Sequence, residues 1–427
     1  MPAERSATRR AGLLRHGDFR RLWLADVLSQ FGNRISVLAV PLLATTTLQA
    51  STFQVSLLRT LETAAYLALG LQVGAWCDRL RCRPVLIAAD LGRAALLASV
   101  PVAWAFGALT IGQLLVVVLL TGVLTVFFDV AHQTYLPRLI DRERLLEGNA
   151  KLQTNLSVAA VTAPGLTGYL VQVFGGPIAI MGNALGFLWS AGWLGRIGAD
   201  EPKPISTARP RLRREIGEGL RLVAGHPALR AICATGATAS LFQSVQTSIV
   251  VVFLNREVGL SPGSIGLLST TTLVGALAGA LTARRLGERL GQARALLLAA
   301  VLFGCCYLLF PFTGPGWRLG FYAVAGFGAS LTVIVLNVLS VSFQQTVTPE
   351  RLRGRVNATS RVLMLGAIPV GSLLGGLLAT AAGFHAALWV AAAGNFASAG
   401  WLLFSPVRRM RDLPEECEPA ERGSPSS

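Results

Sequence analysis

Pairs of polar residues interrupt the long apolar stretches of this chain, and their spacing limits the chemistry they can do. Asn33 and Arg34 are neighbours, while Arg59 and Glu62, Asp90 and Arg93, and Asp129 and His132 are each three apart. On a helix, a separation of three puts both side chains on one face. A buried carboxyl beside an arginine is pulled two ways, since burial raises its pKa and the cation lowers it. Such a pair can exchange its partner for a proton or for a ligand group. Glu62 is therefore the candidate proton site. Arg34 either holds an anionic ligand group or pairs with a carboxylate, and Arg59 either pairs with Glu62 or lends Arg34 a partner. Catalysis within apolar surroundings would need paired catalytic groups. Asp90 and Asp129 come nearest, and each has a basic neighbour that suggests pairing instead, so no enzyme is expected.

The elements that position these residues follow from composition. Of 427 residues 52% are hydrophobic and 14% charged, against about 25% charged in a soluble domain. Lipid needs no charged coat, and a span takes about 20 residues. Twelve runs meet that length, approximately 22–46, 53–76, 84–105, 111–134, 152–172, 177–196, 229–253, 262–283, 293–312, 318–343, 358–380 and 384–404. They are continuous instead of alternating, which argues for helices over a β-barrel. The fold class expected is all-α integral membrane.

Charge placement sets the orientation. With the N-terminus cytoplasmic, 33 of the 38 Lys and Arg fall in inside segments; only Arg256 and Arg318 lie in outside loops, and Arg34, Arg59 and Arg93 lie within spans. That bias is the positive-inside signature, and it puts both termini in the cytoplasm. The net charge of +16 is thus scattered over short loops, not gathered into a stripe for nucleic acid. The six cysteines form no CxxC pair and no Cys/His cluster, so neither a disulfide framework nor a metal is expected, and no cofactor. The expected organisation is a tail at 1–21, a six-helix bundle at 22–198, a linker with a short amphipathic helix at 199–228, a second bundle at 229–405 and a tail at 406–427.

The halves echo each other. Gly74 and Gly279 stand 205 apart, as do Pro164 and Pro369, and Asn149 and Asn357 stand 208 apart. Parallel six-helix repeats suit a transporter that rocks one bundle against the other.

Residues 74–83, GAWCDRLRCR, resemble the GxxxDRxGRR loop of the major facilitator superfamily through Gly74, Asp78, Arg79 and Arg83. Arg81 and Cys82 depart from that pattern. The stretches FRRLW (19–23), SQFG (29–32), FDVAHQTYLP (128–137) and Pro369 to Gly371 resemble the drug and siderophore exporter branch of that superfamily. Span 4 lacks the arginine of many proton-coupled exporters and carries Asp129. Span 5 keeps only Pro164 and Gly168 of the exporter motif GPxxGG. The resemblance implies two pseudo-symmetric six-helix bundles and rocker-switch transport. It implies proton-coupled export of an amphipathic drug, secondary metabolite or siderophore, with uptake or uniport as the alternative.

A carboxylate at Asp78 can meet the exposed N–H groups of a neighbouring helix end, and Arg79 and Arg83 can pair across the same side. Cytoplasmic gating is the role the resemblance implies for Gly74, Asp78, Arg79 and Arg83. Asp90 and Arg93 are read as structural or gating, and Asp129 as either a coupling or a gating residue. In the second half, Gln243, Gln246 and Asn337 can hydrogen-bond a ligand or a neighbouring helix. A channel would want a re-entrant filter, and a sensor a large folded cytoplasmic domain; neither is visible. The expected partners are a small organic substrate, protons and the lipid bilayer, with no nucleic acid, and the chain is expected to act as a monomer in a bacterial cytoplasmic membrane.

Overall fold

The computed structural model describes residues 13–77, 80–199, 201, 212–348 and 350–409. All the regular structure in them is helical. Thirteen α-helices follow in order: α1 (Gly17–Thr46), α2 (Thr52–Cys77), α3 (Cys82–Ala105), α4 (Ile111–Leu139), α5 (Leu145–Phe174), α6 (Gly176–Gly195), α7 (Leu212–Gly225), α8 (Pro227–Arg256), α9 (Pro262–Leu290), α10 (Gln292–Tyr307), α11 (Leu319–Val347), α12 (Glu350–Ala382) and α13 (Phe384–Leu403). Eleven helices among the described residues are long and apolar enough to cross a membrane. The long helix outside that set is α2, whose Arg59 and Glu62 lower its mean hydropathy. The chain has an all-α, multi-pass membrane fold.

Local sequence explains where the helices start. Ser51 caps α2 in a reciprocal box: its Oγ accepts from Gln54 N at 3.2 Å and its own N–H donates to Gln54 Oε1 at 2.8 Å. Thr110 Oγ1 accepts from Gln113 N at the start of α4. The breaks between α5 and α6 and between α12 and α13 are single glycines, Gly175 at φ 83° and Gly383 at φ 85°. Side chains disfavour that conformation. These glycines stand 208 positions apart, the same offset as Asn149 and Asn357.

The described residues form two compact units. One joins α1–α6 with the segment Ser248–Thr270, which is the end of α8 and the beginning of α9. The other holds α7, α8 up to Thr247, and the chain from Thr271. In the first, α1 packs on α5 and α6, α3 on α4 and α6, and α2 on α4. In the second, α10 packs on α11 and α13. The contacts of α3 with α4 and α6 thus have a counterpart in those of α10. The linker helix α7 lies on α12, with Val223 buried against Leu229, Cys233 and Val356.

The first unit draws in Ser248–Thr270 by specific contacts. Gln172 Oε1, near the end of α5, accepts from Gly263 N at 3.0 Å and from Ser261 Oγ at 3.2 Å, at the exposed start of α9. Arg256 Nη2 donates to the Ala50 carbonyl at 2.8 Å.

Candidate functional site

A cavity of about 280 Å³ opens inside the first unit, walled by α1–α6. Its polar lining includes Gln30, Asn33, Arg34, Arg59, Glu62, Tyr66 and Asp129, and Val37, Val40, Leu58, Leu97, Val118 and Phe187 are among its apolar walls. Five of the eight residues proposed from sequence for substrate or proton coupling therefore meet at one place: Asn33, Arg34, Arg59, Glu62 and Asp129. Gln243, Gln246 and Asn337 belong to the second unit. There Gln246 is buried and Asn337 is exposed.

Helical spacing sets most of the geometry. Arg59 Nη1 lies 2.8 Å from Glu62 Oε2, and both side chains are about one-third exposed to the cavity. One turn on, Tyr66 donates its hydroxyl hydrogen to Asp129 of α4. Arg34 lines the same cavity as the like-charged Arg59. No hydrogen bond or ion pair reaches Arg34 among the described residues.

A second polar layer lies behind the cavity wall. Asp26 is fully buried in α1. It accepts from Asn155 Nδ2 at 2.9 Å and Gln30 Nε2 at 3.1 Å, and lies 3.6 Å from His132 Nε2. Asp90 and Arg93 form a fully buried ion pair. The guanidinium carbon of Arg93 sits 4.2 Å from the ring centres of both Phe128 and Phe187. Burial of an ion pair costs several kcal/mol unless its groups find compensation, and two aromatic faces supply part of it for a cation. Arg93, His132 and Asp26 are titratable groups that act on Asp129.

On the side of the loop between α2 and α3, the expected gating motif is partly in view. Asp78 and Arg79 lie outside the described residues. Gly74 continues helix α2. Arg83 donates to the carbonyls of Leu194 at 3.1 Å and Gly195 at 2.6 Å, capping the end of α6. The carboxylate at the start of α3 is Glu201. It accepts from Cys82 N at 2.6 Å and Arg83 N at 3.1 Å, and pairs with Arg138 Nη1 at 2.8 Å. Burial alone would raise the Glu201 pKa, but the two backbone N–H groups and Arg138 outweigh it and hold the carboxyl below its ordinary value.

Several of these residues were missed by sequence reasoning. Tyr66, Phe187 and Asn155 carry no signal in one sequence, because only packing brings them to the charges they serve. Asp26 did carry one, an acid inside an apolar span. Glu201 was hidden by its place in the linker. Among the described residues, no group of three or more His, Cys, Asp or Glu side chains is arranged to hold a metal ion.

Residues 10–422 match the family model described as Transmembrane secretion effector. Among curated proteins, the multidrug efflux pump Tap of Mycolicibacterium fortuitum is 28% identical over 387 residues, covering 87% of this chain and 91% of that protein. The enterobactin exporter EntS of Escherichia coli O1:K1 / APEC is 27% identical over 372 residues, covering 85% of each. Among solved structures, a bacterial homologue of the iron transporter ferroportin in an inward-facing state superposes with TM-score 0.75 at 17% identity, covering 92% of this chain and 99% of that one. The nucleoside transporter NupG gives 0.74 at 10% identity, covering 90% and 98%. These two share the fold. Family and fold are those of transporters, not enzymes, and the curated relatives are an efflux pump and an exporter of bacteria. A cavity lined by arginines and carboxylates inside a bundle of apolar helices, together with a family match over nearly the whole length, makes this chain a major facilitator superfamily transporter of the transmembrane secretion effector family, resident in a bacterial cytoplasmic membrane.

Proposed function

We propose that the chain is a proton-coupled exporter of an amphipathic small molecule, working by alternating access between two six-helix halves. Twelve crossings with both termini in the cytoplasm complete this reading, and the arginine distribution supports them. Export is the direction that the names of Tap and EntS favour.

The observation that carries the proposal is the composition of the cavity. Apolar walls take the body of the solute, and Arg34, Asn33 and Gln30 offer N–H donors to its polar end. Across from them, Asp129 accepts the Tyr66 hydroxyl hydrogen and keeps acceptor capacity to spare. An ionised Asp129 can accept a hydrogen bond from an O–H or N–H of the solute; a protonated one gives up that acceptor. Proton and solute thus compete for one carboxylate, which is the condition for exchange. The Arg59–Glu62 pair offers a second carboxylate whose proton would release an arginine.

The test is transport in proteoliposomes under an imposed pH gradient, with a panel of amphipathic drugs and siderophores. Solute should move against an inward proton flow and reverse when the gradient is inverted. Movement indifferent to the gradient would rule out exchange.

A further inference from the structure

The second unit carries a groove of its own. It runs between the first turns of α8 and the last turns of α13, with a volume of about 550 Å³, within the range of small-molecule sites. Ala231, Ala397, Gly400, Trp401 and Phe404 form its apolar wall, and Arg230 stands on its rim. From Arg230 to Thr238 the groove extends roughly 12 Å along the helix axis.

Its features are those of a lipid seat. The Trp401 indole N–H donates to Thr238 Oγ1 at 3.2 Å, so the ring is fixed across the groove and not free to fill it. Phe404, at the mouth, is 92% exposed. Arg230 is also exposed. One of its nitrogens reaches the Ala224 carbonyl at 3.5 Å, and the rest of the guanidinium has no protein partner among the described residues. Arg408 is exposed two positions beyond Pro406, which lines the groove. The pattern is an apolar trough ending in unpaired guanidinium at a helix end rich in loop arginines. Guanidinium binds phosphate oxygens in a fork. Basic pockets between helices on the cytoplasmic side suit anionic headgroups.

We propose that this groove binds an anionic phospholipid, its phosphate on Arg230 and an acyl chain along Ala231, Ala397 and Gly400. The occupant comes from the surrounding leaflet. It is distinct from the transported solute, so the inference stands or falls apart from the exporter reading.

Native mass spectrometry of the purified full-length protein in mixed micelles tests it, with equal amounts of palmitoyl-oleoyl phosphatidylglycerol and phosphatidylcholine. The wild type should retain one phosphatidylglycerol with about tenfold preference over phosphatidylcholine. Arg230→Gln should reduce that preference to near unity. Gly400→Leu, which fills the trough and leaves the charge, should lose the retained lipid of either kind. Equal retention of both lipids by the wild type would overturn the proposal without recourse to any variant. So would an Arg230→Gln protein that keeps its preference, or retention seen only after removal of residues 410–427.

Discussion

Gly168 of α5 and Gly266 of α9 meet backbone to backbone. A Cβ on Gly168 would stand 2.5 Å from the Pro262 carbonyl oxygen and 3.0 Å from Gly266 Cα, and one on Gly266 would stand 2.5 Å from the Pro164 oxygen and 3.0 Å from Gly168 Cα. Each glycine follows a proline by four residues. Small residues at this spacing let membrane helices approach closely. Gly168→Ala should therefore part α5 from α9 and destabilise their contact by about 1–3 kcal/mol. Cysteine labelling near Gln172 and Ser261 would read this as increased reactivity. The double variant with Gly266→Ala should cost less than the sum of the single ones, because one separation relieves both clashes.

Arg34 is the unpaired cation of the cavity, so its removal should weaken solute binding and leave the fold intact. Arg34→Ala should raise Kd about tenfold for a transported solute, the scale of one charge-assisted hydrogen bond. Thermal stability should stay within about 1–2 °C, or roughly 0.5 kcal/mol. Unchanged affinity in equilibrium dialysis would remove Arg34 from the site.

Asp129→Asn keeps the shape of the carboxylate and removes its titration. The amide stands in for the protonated carboxyl, so solute binding without a gradient should fall about tenfold, while exchange driven by an imposed pH gradient disappears. Tyr66→Phe should slow exchange and leave its response to the gradient. An Asp129→Asn protein that still couples would move the proton site to Glu62.

The Asp90–Arg93 pair is buried without solvent. Arg93→Met leaves Asp90 uncompensated and should destabilise the first unit by about 3–5 kcal/mol. Combining it with Asp90→Asn should recover part of that loss, measured as the melting temperature in detergent.

Glu201 gives a pH dependence with a fixed sign. Its folded-state pKa lies below the ordinary value of 4.5. Its contribution is therefore fully present above pH 4.5 and fades as pH falls through the lower folded-state value. Glu201→Gln should lower stability at pH 7 by roughly 1 kcal/mol, the worth of a helix cap. It should also flatten the acid limb of the stability curve. A variant with the wild-type acid limb would show that Glu201 is not the group responsible.

The membrane class and the helices could be read from the sequence because lipid imposes one length and one composition on every span. Arg59 with Glu62 and Asp90 with Arg93 could be read for a local reason, since three residues of helix fix their meeting. Tyr66 with Asp129 joins positions 63 apart, and Asp26 with Asn155 positions 129 apart. No periodicity encodes such meetings. Arg83 was expected to gate; its hold on the end of α6 was not legible, because its reach depends on where α6 stops. Gly168, kept from an otherwise degraded motif, was visible as a residue but not as a contact, for its partner lies in the other half of the chain.

The grip of Phe128 and Phe187 on Arg93 has an electrical consequence. A guanidinium buried against two rings and one carboxylate keeps no hydration shell, so its charge is balanced by protein groups alone. That unscreened charge acts on Asp129, so the field at the proposed proton site is set by protein groups and not by solvent.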